Sequence, residues 1–344
     1  DGLTGGLAEL TLSDRLKDGT QIHLNSRSIF ETESHEVELS IRKPKLGYIE
    51  LGYDQFRRYY GDNGGFYRGF GQPPISLNRD LYLDNGRAWI DVGLTLPDWP
   101  TIVLGYEHQY RDGEKSMIHW GPVFPADPAA PGRGISPSSK HIDEETHIIK
   151  LDIEHEWRGW DIEESFRGEF TDFRTSREMA DFSTTGTSVA DSATRVQEDY
   201  DHFSGANIIR AEKSIKPWWL ISAGYLYADL SADAGFNLEN FLPNNLAAAP
   251  FQGDRSRAIV LDRDSHVINF NTLLGPFNGL SFYAGVQNDW TSQSGEGDLF
   301  IFGAPAGLGS NLDQITTEEN FGLRFTKLKN TVLYLDTKFQ QRDI

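Results

Sequence analysis

Apolar and polar residues alternate along residues 87–111, in two runs joined by Pro97-Asp-Trp-Pro100. In each run every second residue is apolar and the residues between are polar or small, as in Ile90-Asp-Val-Gly-Leu94. A period of two is the signature of a β-strand. Each arm is about ten residues long, which is what a tilted strand needs to cross a bilayer. The pattern predicts an amphipathic hairpin that repeats until the sheet closes as a barrel in a membrane.

The same alternation recurs along the chain and predicts about fourteen strands. They are expected at residues 7–13, 20–29, 36–42, 47–56, 87–96, 101–111, 146–157, 161–173, 200–212, 218–230, 258–274, 280–290, 318–327 and 331–340. We therefore predict an all-β fold, a transmembrane antiparallel up-and-down β-barrel, with residues 1–344 forming a single outer-membrane β-barrel domain.

The lengths of the predicted connections differ between the two ends of the strands. Odd-to-even connections are short, whereas long loops are expected over residues 57–85, 112–145, 174–198, 231–257 and 291–317. Outer-membrane barrels have short periplasmic turns and long extracellular loops. A soluble sandwich or propeller shows the same alternation but has no reason to sort its loops by end. The soluble fold stays open as an alternative.

Composition narrows the choice of partner and compartment. The chain has 344 residues, 34 glycines, no cysteine and a formal net charge of −19. This acidity argues against a nucleic-acid partner, because a duplex binder needs a basic surface. It suits a pore that favours cations, divalent-ion bridging to anionic lipids, or simply solubility. No run of eighteen apolar residues occurs, so no transmembrane helix is expected.

The charged residues of the alternating runs fall on the face opposite the apolar one. In a barrel they would line the lumen, where opposed acids and bases filter solutes by charge and size; in a soluble sandwich they would be the solvated outer faces. The predicted lumen-lining residues are Glu50, Asp54, Arg87, Asp91, Glu107, Arg111, Lys150, Asp152, Glu154, Arg167, Glu169, Arg324 and Lys338.

Aromatic residues collect near the predicted membrane boundaries. Amphipathic rings favour the headgroup level, so two girdles are expected. The alternative is that aromatic residues simply favour strands. The predicted membrane-girdle aromatics are Trp99, Tyr106, Tyr110, Trp157, Trp218, Trp219 and Trp290.

The sequence lacks the short motifs of catalysis and cofactor binding. No nucleophile elbow, P-loop, H-E-x-x-H or zinc-type Cys/His spacing occurs. Asp143-Glu-Glu145 is compatible with calcium on carboxylate density alone. Histidines near acids are interpreted as strand or loop-end residues and not as ligands: His141, His147, His155 and His266. We expect no enzymatic activity, no cofactor and no metal site.

Two resemblances follow from these patterns. Over essentially its whole length the chain resembles bacterial outer-membrane barrels of the porin type in architecture. The segments Gly47-Tyr-Ile-Glu-Leu-Gly-Tyr-Asp-Gln-Phe-Arg57 and Asp91-Val-Gly-Leu-Thr-Leu-Pro-Asp-Trp-Pro100 look like ones in large barrels of the MtrB/PioB type. That family sheathes multihaem cytochromes in porin–cytochrome conduits. The chain has no cysteine, so it lacks that family's N-terminal Cys pair.

The expected function is passive diffusion of ions or small solutes through a porin-like channel in the bacterial outer membrane. The alternatives are a barrel sheath for a multihaem cytochrome and a soluble β-rich binding module. The expected partners are outer-membrane lipid and lipopolysaccharide, together with a second copy of the chain, a multihaem cytochrome or a lipoprotein. The first residues lack a signal peptide, so a mature exported chain is expected. Either Phe339 approximates the terminal aromatic of such barrels, or the sequence stops before the true C-terminus.

Overall fold

The structure is a computed structural model that describes residues 5–62, 78–122, 133–181, 192–241, 252–301 and 304–344. Its strands are β1 (Gly6–Arg15), β2 (Gln21–Ile29), β3 (Ser34–Lys43), β4 (Gly47–Tyr60), β5 (Leu81–Leu94), β6 (Thr101–Pro122), β7 (Arg133–Trp157), β8 (Trp160–Asp181), β9 (Ser192–Lys216), β10 (Trp219–Phe241), β11 (Gln252–Phe277), β12 (Leu280–Ile301), β13 (Ala304–Phe325) and β14 (Leu333–Asp343). A short 3-10 turn, Phe30–Thr32, links β2 to β3. Among the described residues, no helix is long and apolar enough to cross a membrane.

All fourteen strands belong to one sheet, and each pairs antiparallel with the next strand in sequence. The prediction of an all-β, antiparallel up-and-down fold of about fourteen strands is confirmed. This is the meander from which outer-membrane barrels are built. No ladder joins β1 to β14 within the described part of the chain. Among the described residues, each of these two strands therefore has one edge without a strand partner.

Two of the two-residue turns follow directly from the sequence. Arg158-Gly159 links β7 to β8, and Asn278-Gly279 links β11 to β12. All four residues have positive φ, at 52° and 75° in the first turn and 53° and 88° in the second. Two-residue hairpin turns of type I′ need positive φ at both positions, which Asn and Gly adopt most readily. We call this side of the sheet the turn end and the opposite side the loop end.

The strands extend much further toward the loop end than the sequence predicted. Strands β6 to β13 have 22 to 26 residues each. The predicted loops over 112–145, 174–198, 231–257 and 291–317 are therefore wrong over most of their length, and residues 57–60 and 81–85 of the first predicted loop are also strand. The rest of the predicted loops, apart from residues 61–62 and 78–80, lies outside the described residues, at 63–77, 123–132, 182–191, 242–251 and 302–303.

The missing signal has a physical cause. At about 3.3 Å per residue, a strand of about 25 residues is about 80 Å long, whereas the hydrocarbon core is about 30 Å thick. Beyond the membrane both faces of a strand meet water, so apolar alternation ends. The backbone ladder continues there regardless, because it depends on hydrogen bonds and not on side-chain hydrophobicity.

Large apolar side chains are exposed on one face of the sheet, and a charged residue is buried on the other. On β5 and β6 the apolar side chains Ile90, Val92 and Leu104 are 39%, 41% and 54% exposed. Glu107, on the opposite face, is only 7% exposed. A soluble sandwich would bury the apolar face against a second sheet, and the described strands form one sheet. The soluble alternative is therefore not supported.

Candidate functional site

Cross-strand register places all thirteen predicted lumen residues on one face of the sheet. Glu50 lies opposite Asp91, and Asp54 lies opposite Arg87. Directly opposed residues of paired strands lie on the same face of a sheet. Following these pairs from strand to strand places the predicted residues of β6, β7 and β8 on this face, and also Arg324 on β13 and Lys338 on β14. We call this the charged face, and the opposite one the apolar face. That the charged face lines a water-filled lumen stays a prediction.

Ion pairs cross from strand to strand on the charged face. The Arg87 guanidinium donates to Asp54 Oδ2 from Nη2 at 2.8 Å and from Nε at 3.0 Å. It also lies over the Trp89 ring, 4.3 Å from the ring centroid. Glu50 lies two same-face positions from Asp54 toward the turn end of β4, and Arg42 on β3 donates to it. Planar guanidinium groups suit this combination of carboxylate pairing and ring stacking.

Glu107 is the most buried acid of the predicted set. Lys150 Nζ donates to Glu107 Oε2 at 2.7 Å, and Gln109 Nε2 donates to Oε1 at 2.6 Å. Both carboxylate oxygens are therefore satisfied, which a buried charge requires. Lys150 Cβ and Asp91 both approach Gly105 closely, and a Cβ on that glycine would overlap the Asp91 carboxylate. The missing side chain makes room for the charged cluster.

A cavity of about 510 Å³ opens on this face toward the loop end. Two cations and two carboxylates are among its lining residues, namely Arg87, Arg111, Asp54 and Glu144. Arg111 donates to Glu144 across the β6–β7 pair. The cavity thus offers charges of both signs.

The remaining predicted residues lie along the same face. Arg167 donates to Glu169 at 3.1 Å, Ser165 donates to Asp152 at 2.7 Å, and Lys338 pairs with Glu318 at 2.6 Å. Two further predicted residues share the face, Glu154 and Arg324.

The sequence reasoning missed several partners of the predicted residues. Arg42, Gln109, Glu144 and Glu318 all lie on the charged face and bond to a predicted residue. Glu144 was hidden because it falls in the predicted loop over 112–145. Extending the period of two backwards from Thr146 would have placed it on the face.

Four of the predicted girdle aromatics lie at the turn end, and the other three lie on the apolar face further along the strands. Trp99, at 66% exposed, lies in the β5–β6 turn, and three others lie at or next to turns of the same end: Trp157, Trp218 and Trp219. Tyr106 and Trp290 are exposed on the apolar face. The Tyr110 hydroxyl lies 2.9 Å from the Tyr53 hydroxyl. A membrane-girdle role stays a prediction for all seven.

A buried ion pair fixes the chain at the loop end, outside the membrane-spanning segments. Arg79 Nη2 donates to Asp62 Oδ1 at 2.7 Å, and the Arg79 backbone N–H donates to Oδ2 at 2.8 Å. Arg79 Nη1 also donates to Ser139 on β7 at 3.0 Å. Burial raises the pKa of Asp62, but the hydrogen bonds and charge of Arg79 outweigh it and hold that pKa below its usual value.

No family model matches the sequence, and neither does any curated protein. Among solved structures, this chain has distant similarity to two outer-membrane proteins over most of its length. One is the open form of the ferric-catecholate import receptor Fiu from E. coli K12, 8% identical, with a TM-score of 0.37, covering 98% of this chain and 73% of that chain. The other is the copper transporter OprC, 10% identical, with a TM-score of 0.28, covering 99% of this chain and 62% of that chain.

Both TM-scores and identities are low, so these two likenesses carry no argument about what this chain does. They give no support to the porin-type or the MtrB/PioB-type resemblance, and both of these stay predictions. The surface of the sheet itself is that of an outer-membrane protein, because its strands present an exposed apolar face beside a face of paired charges. The bacterial outer membrane is the location that this architecture supports.

Proposed function

We propose that the chain forms a non-enzymatic channel of the bacterial outer membrane, through which ions or small solutes diffuse along the charged face. The observation that carries the proposal is an exposed apolar face on one side of the sheet and a face of paired charges on the other. Apolar side chains such as Leu104 need lipid around them, while ion pairs such as Arg87–Asp54 need water or a polar partner. A barrel with an aqueous interior satisfies both requirements.

The charge on this face favours cations. On β3 to β8, acids outnumber bases in the cross-strand register that defines the face. Among the described side chains, the acids are Glu36, Glu38, Glu50, Asp54, Asp91, Glu107, Glu144, Asp152, Glu154, Glu156, Asp161, Glu163 and Glu169, and the bases are Arg42, Arg58, Arg87, Arg111, Lys115, Lys140, Lys150, Arg167 and Arg177. A ring of excess carboxylates raises the local concentration of cations.

Planar-bilayer recording tests the channel. Folded protein in a salt gradient should conduct, with a reversal potential of the sign for cation preference. Glu154→Lys reverses an exposed charge on the charged face and should move the reversal potential toward the anion value. Glu31→Lys makes the same change in the exposed 3-10 turn and serves as the control. Folded protein that does not conduct, or equal shifts in both variants, would contradict the proposal.

A sheath for a multihaem cytochrome is the second candidate, and the two strand edges favour it. In lipid a sheet edge must find a partner, because its backbone groups have no water to bond. Either β1 pairs with β14, or further strands extend the sheet and widen the barrel, as a sheath requires. The proposed partner of the channel is outer-membrane lipid; that of the sheath is a haem protein.

Crosslinking distinguishes the two candidates. The chain has no cysteine, so Leu12→Cys on β1 and Leu335→Cys on β14 introduce a single reactive pair, and both positions are exposed. Efficient crosslinking within one chain supports a closed channel. Absence of crosslinking together with a co-purifying haem protein supports the sheath.

A further inference from the structure

Three side chains with metal-binding atoms lie together on the apolar face, where β6 pairs with β7. His108 lies directly opposite His147, and the next pair on this face is Tyr110 and Glu145. One potential ligand atom from each of His108, Glu145 and His147 lies within 4.8 Å of the others. Within the described ranges this is the one group of three such residues. It lies on the opposite side of the sheet from the charged face.

The imidazole of His108 is incompletely satisfied in this arrangement. Its ring stacks on that of His147, with centroids 4.7 Å apart and an angle of 14° between the planes. Its Nε2 is buried and has no hydrogen-bond partner among the described residues. Buried polar nitrogens are almost always paired, so an unpaired one next to two other ligand types points to a missing partner.

His147 is oriented as metal-binding histidines are. The Tyr106 hydroxyl lies 2.8 Å from His147 Nδ1, so that nitrogen is engaged and Nε2 is left for a ligand. Metal-ligating histidines usually bond an oxygen through the nitrogen that does not bind the metal, and this bond fixes the ring orientation. Tyr106 therefore acts as a positioning residue.

We propose that His108, His147 and Glu145 bind one divalent transition-metal ion of the Zn²⁺ class, with water completing the shell. Two imidazoles and one carboxylate form an established zinc-ligand set, and imidazole nitrogen selects such ions over Ca²⁺ and Mg²⁺. The ion bridges β6 and β7 and gives His108 the partner that it lacks. The sequence predicted no metal site, because these ligands are separated along the chain and only the strand pairing brings them together.

The test is Zn²⁺ titration of folded, detergent-solubilised protein by calorimetry, with metal content measured after dialysis. The chain contains a matched control. His266 lies on the apolar face of β11 and has the same kind of tyrosine bond, Tyr225 Oη to Nδ1 at 2.7 Å, but belongs to no such ligand group in the described residues. We expect one Zn²⁺ per chain in the native protein and in His266→Ala.

His108→Ala should weaken Zn²⁺ binding by on the order of tenfold or more, the range seen when a metal shell is damaged. Glu145→Gln removes an exposed carboxylate and tests the site if His108→Ala does not fold. Heat-modifiable migration in SDS gels checks the folding of each variant. Absence of saturable Zn²⁺ binding by the native protein would overturn the proposal, as would equal affinity in His266→Ala and in folded Glu145→Gln.

Discussion

Removing the Lys150 ammonium should destabilise the folded protein, because it leaves the carboxylate of Glu107 without its cation. Glu107 is 7% exposed, and Lys150 Nζ lies 2.7 Å from its Oε2. Lys150→Met keeps most of the side-chain volume and deletes only the charge. The variant therefore isolates the electrostatic part of the pair from its packing.

The expected loss follows from the surroundings of the pair. Leaving a buried charge unpaired costs about 3–5 kcal/mol. Here the Lys150 side chain is 32% exposed, so water reaches the site, and Gln109 continues to donate to Oε1 at 2.6 Å. The loss should then resemble that of one hydrogen bond to a charged group, about 1.5–3 kcal/mol.

Urea unfolding in lipid vesicles, followed by tryptophan fluorescence, measures this loss. The control is Lys338→Met, which breaks a pair of nearly the same length, 2.6 Å to Glu318, on the same face. The Lys338 side chain is 55% exposed, so its removal should cost about 0–1 kcal/mol. When Glu107→Gln has already removed the carboxylate, Lys150→Met should lower the free energy of unfolding much less. Equal losses in the two lysine variants would refute the reasoning from burial.

Three further outcomes are expected. The pKa of Asp62 is lowered in the fold. The Asp62–Arg79 pair should therefore stabilise the loop end fully above the ordinary Asp pKa of 3.8 and lose this effect as pH falls below that value. Limited proteolysis at pH 7 and pH 3 should show this dependence, and Asp62→Asn should abolish it. Gly52→Ala should displace the Trp89 ring, which a Cβ at Gly52 would overlap, lowering stability by about 1–3 kcal/mol and altering tryptophan fluorescence. Brominated lipids should quench the fluorescence of the turn-end tryptophans most strongly when the bromine lies near the headgroups. These residues are Trp99, Trp157, Trp218 and Trp219. Strongest quenching by bromine near the bilayer centre would contradict their assignment to a girdle.

The sequence predicted the number of strands, their order and the face on which each charge lies, because these depend on a local period of two. Once Ile90 and Val92 are assigned to one face, Asp91 must lie on the other. All thirteen predicted residues consequently share a face in the structure. No long-range information is needed for that result.

Strand ends and cross-strand partners could not be predicted in the same way. Beyond the membrane the alternation of hydrophobicity stops, so Glu144 was assigned to a loop although it is strand and pairs with Arg111. Which histidine lies opposite His108 depends on the register between β6 and β7, which the hairpin and its loop length determine. The alternation within β6 and within β7 does not determine which residues of the two strands lie opposite each other.

The exposed apolar face also explains why a chain with a mean hydropathy of −0.48 is compatible with a membrane. Fully burying a large aliphatic side chain stabilises a protein by about 1.5–3 kcal/mol. Ile90, Val92 and Leu104, each 39–54% exposed, would leave roughly 3 kcal/mol unrealised if water surrounded them. Lipid on the apolar face recovers that free energy, and in the proposed channel water on the opposite face solvates the paired charges. Alternate residues of such strands are therefore polar, because one face of the sheet meets water. The residues between them can be exposed and apolar, because the other face meets lipid.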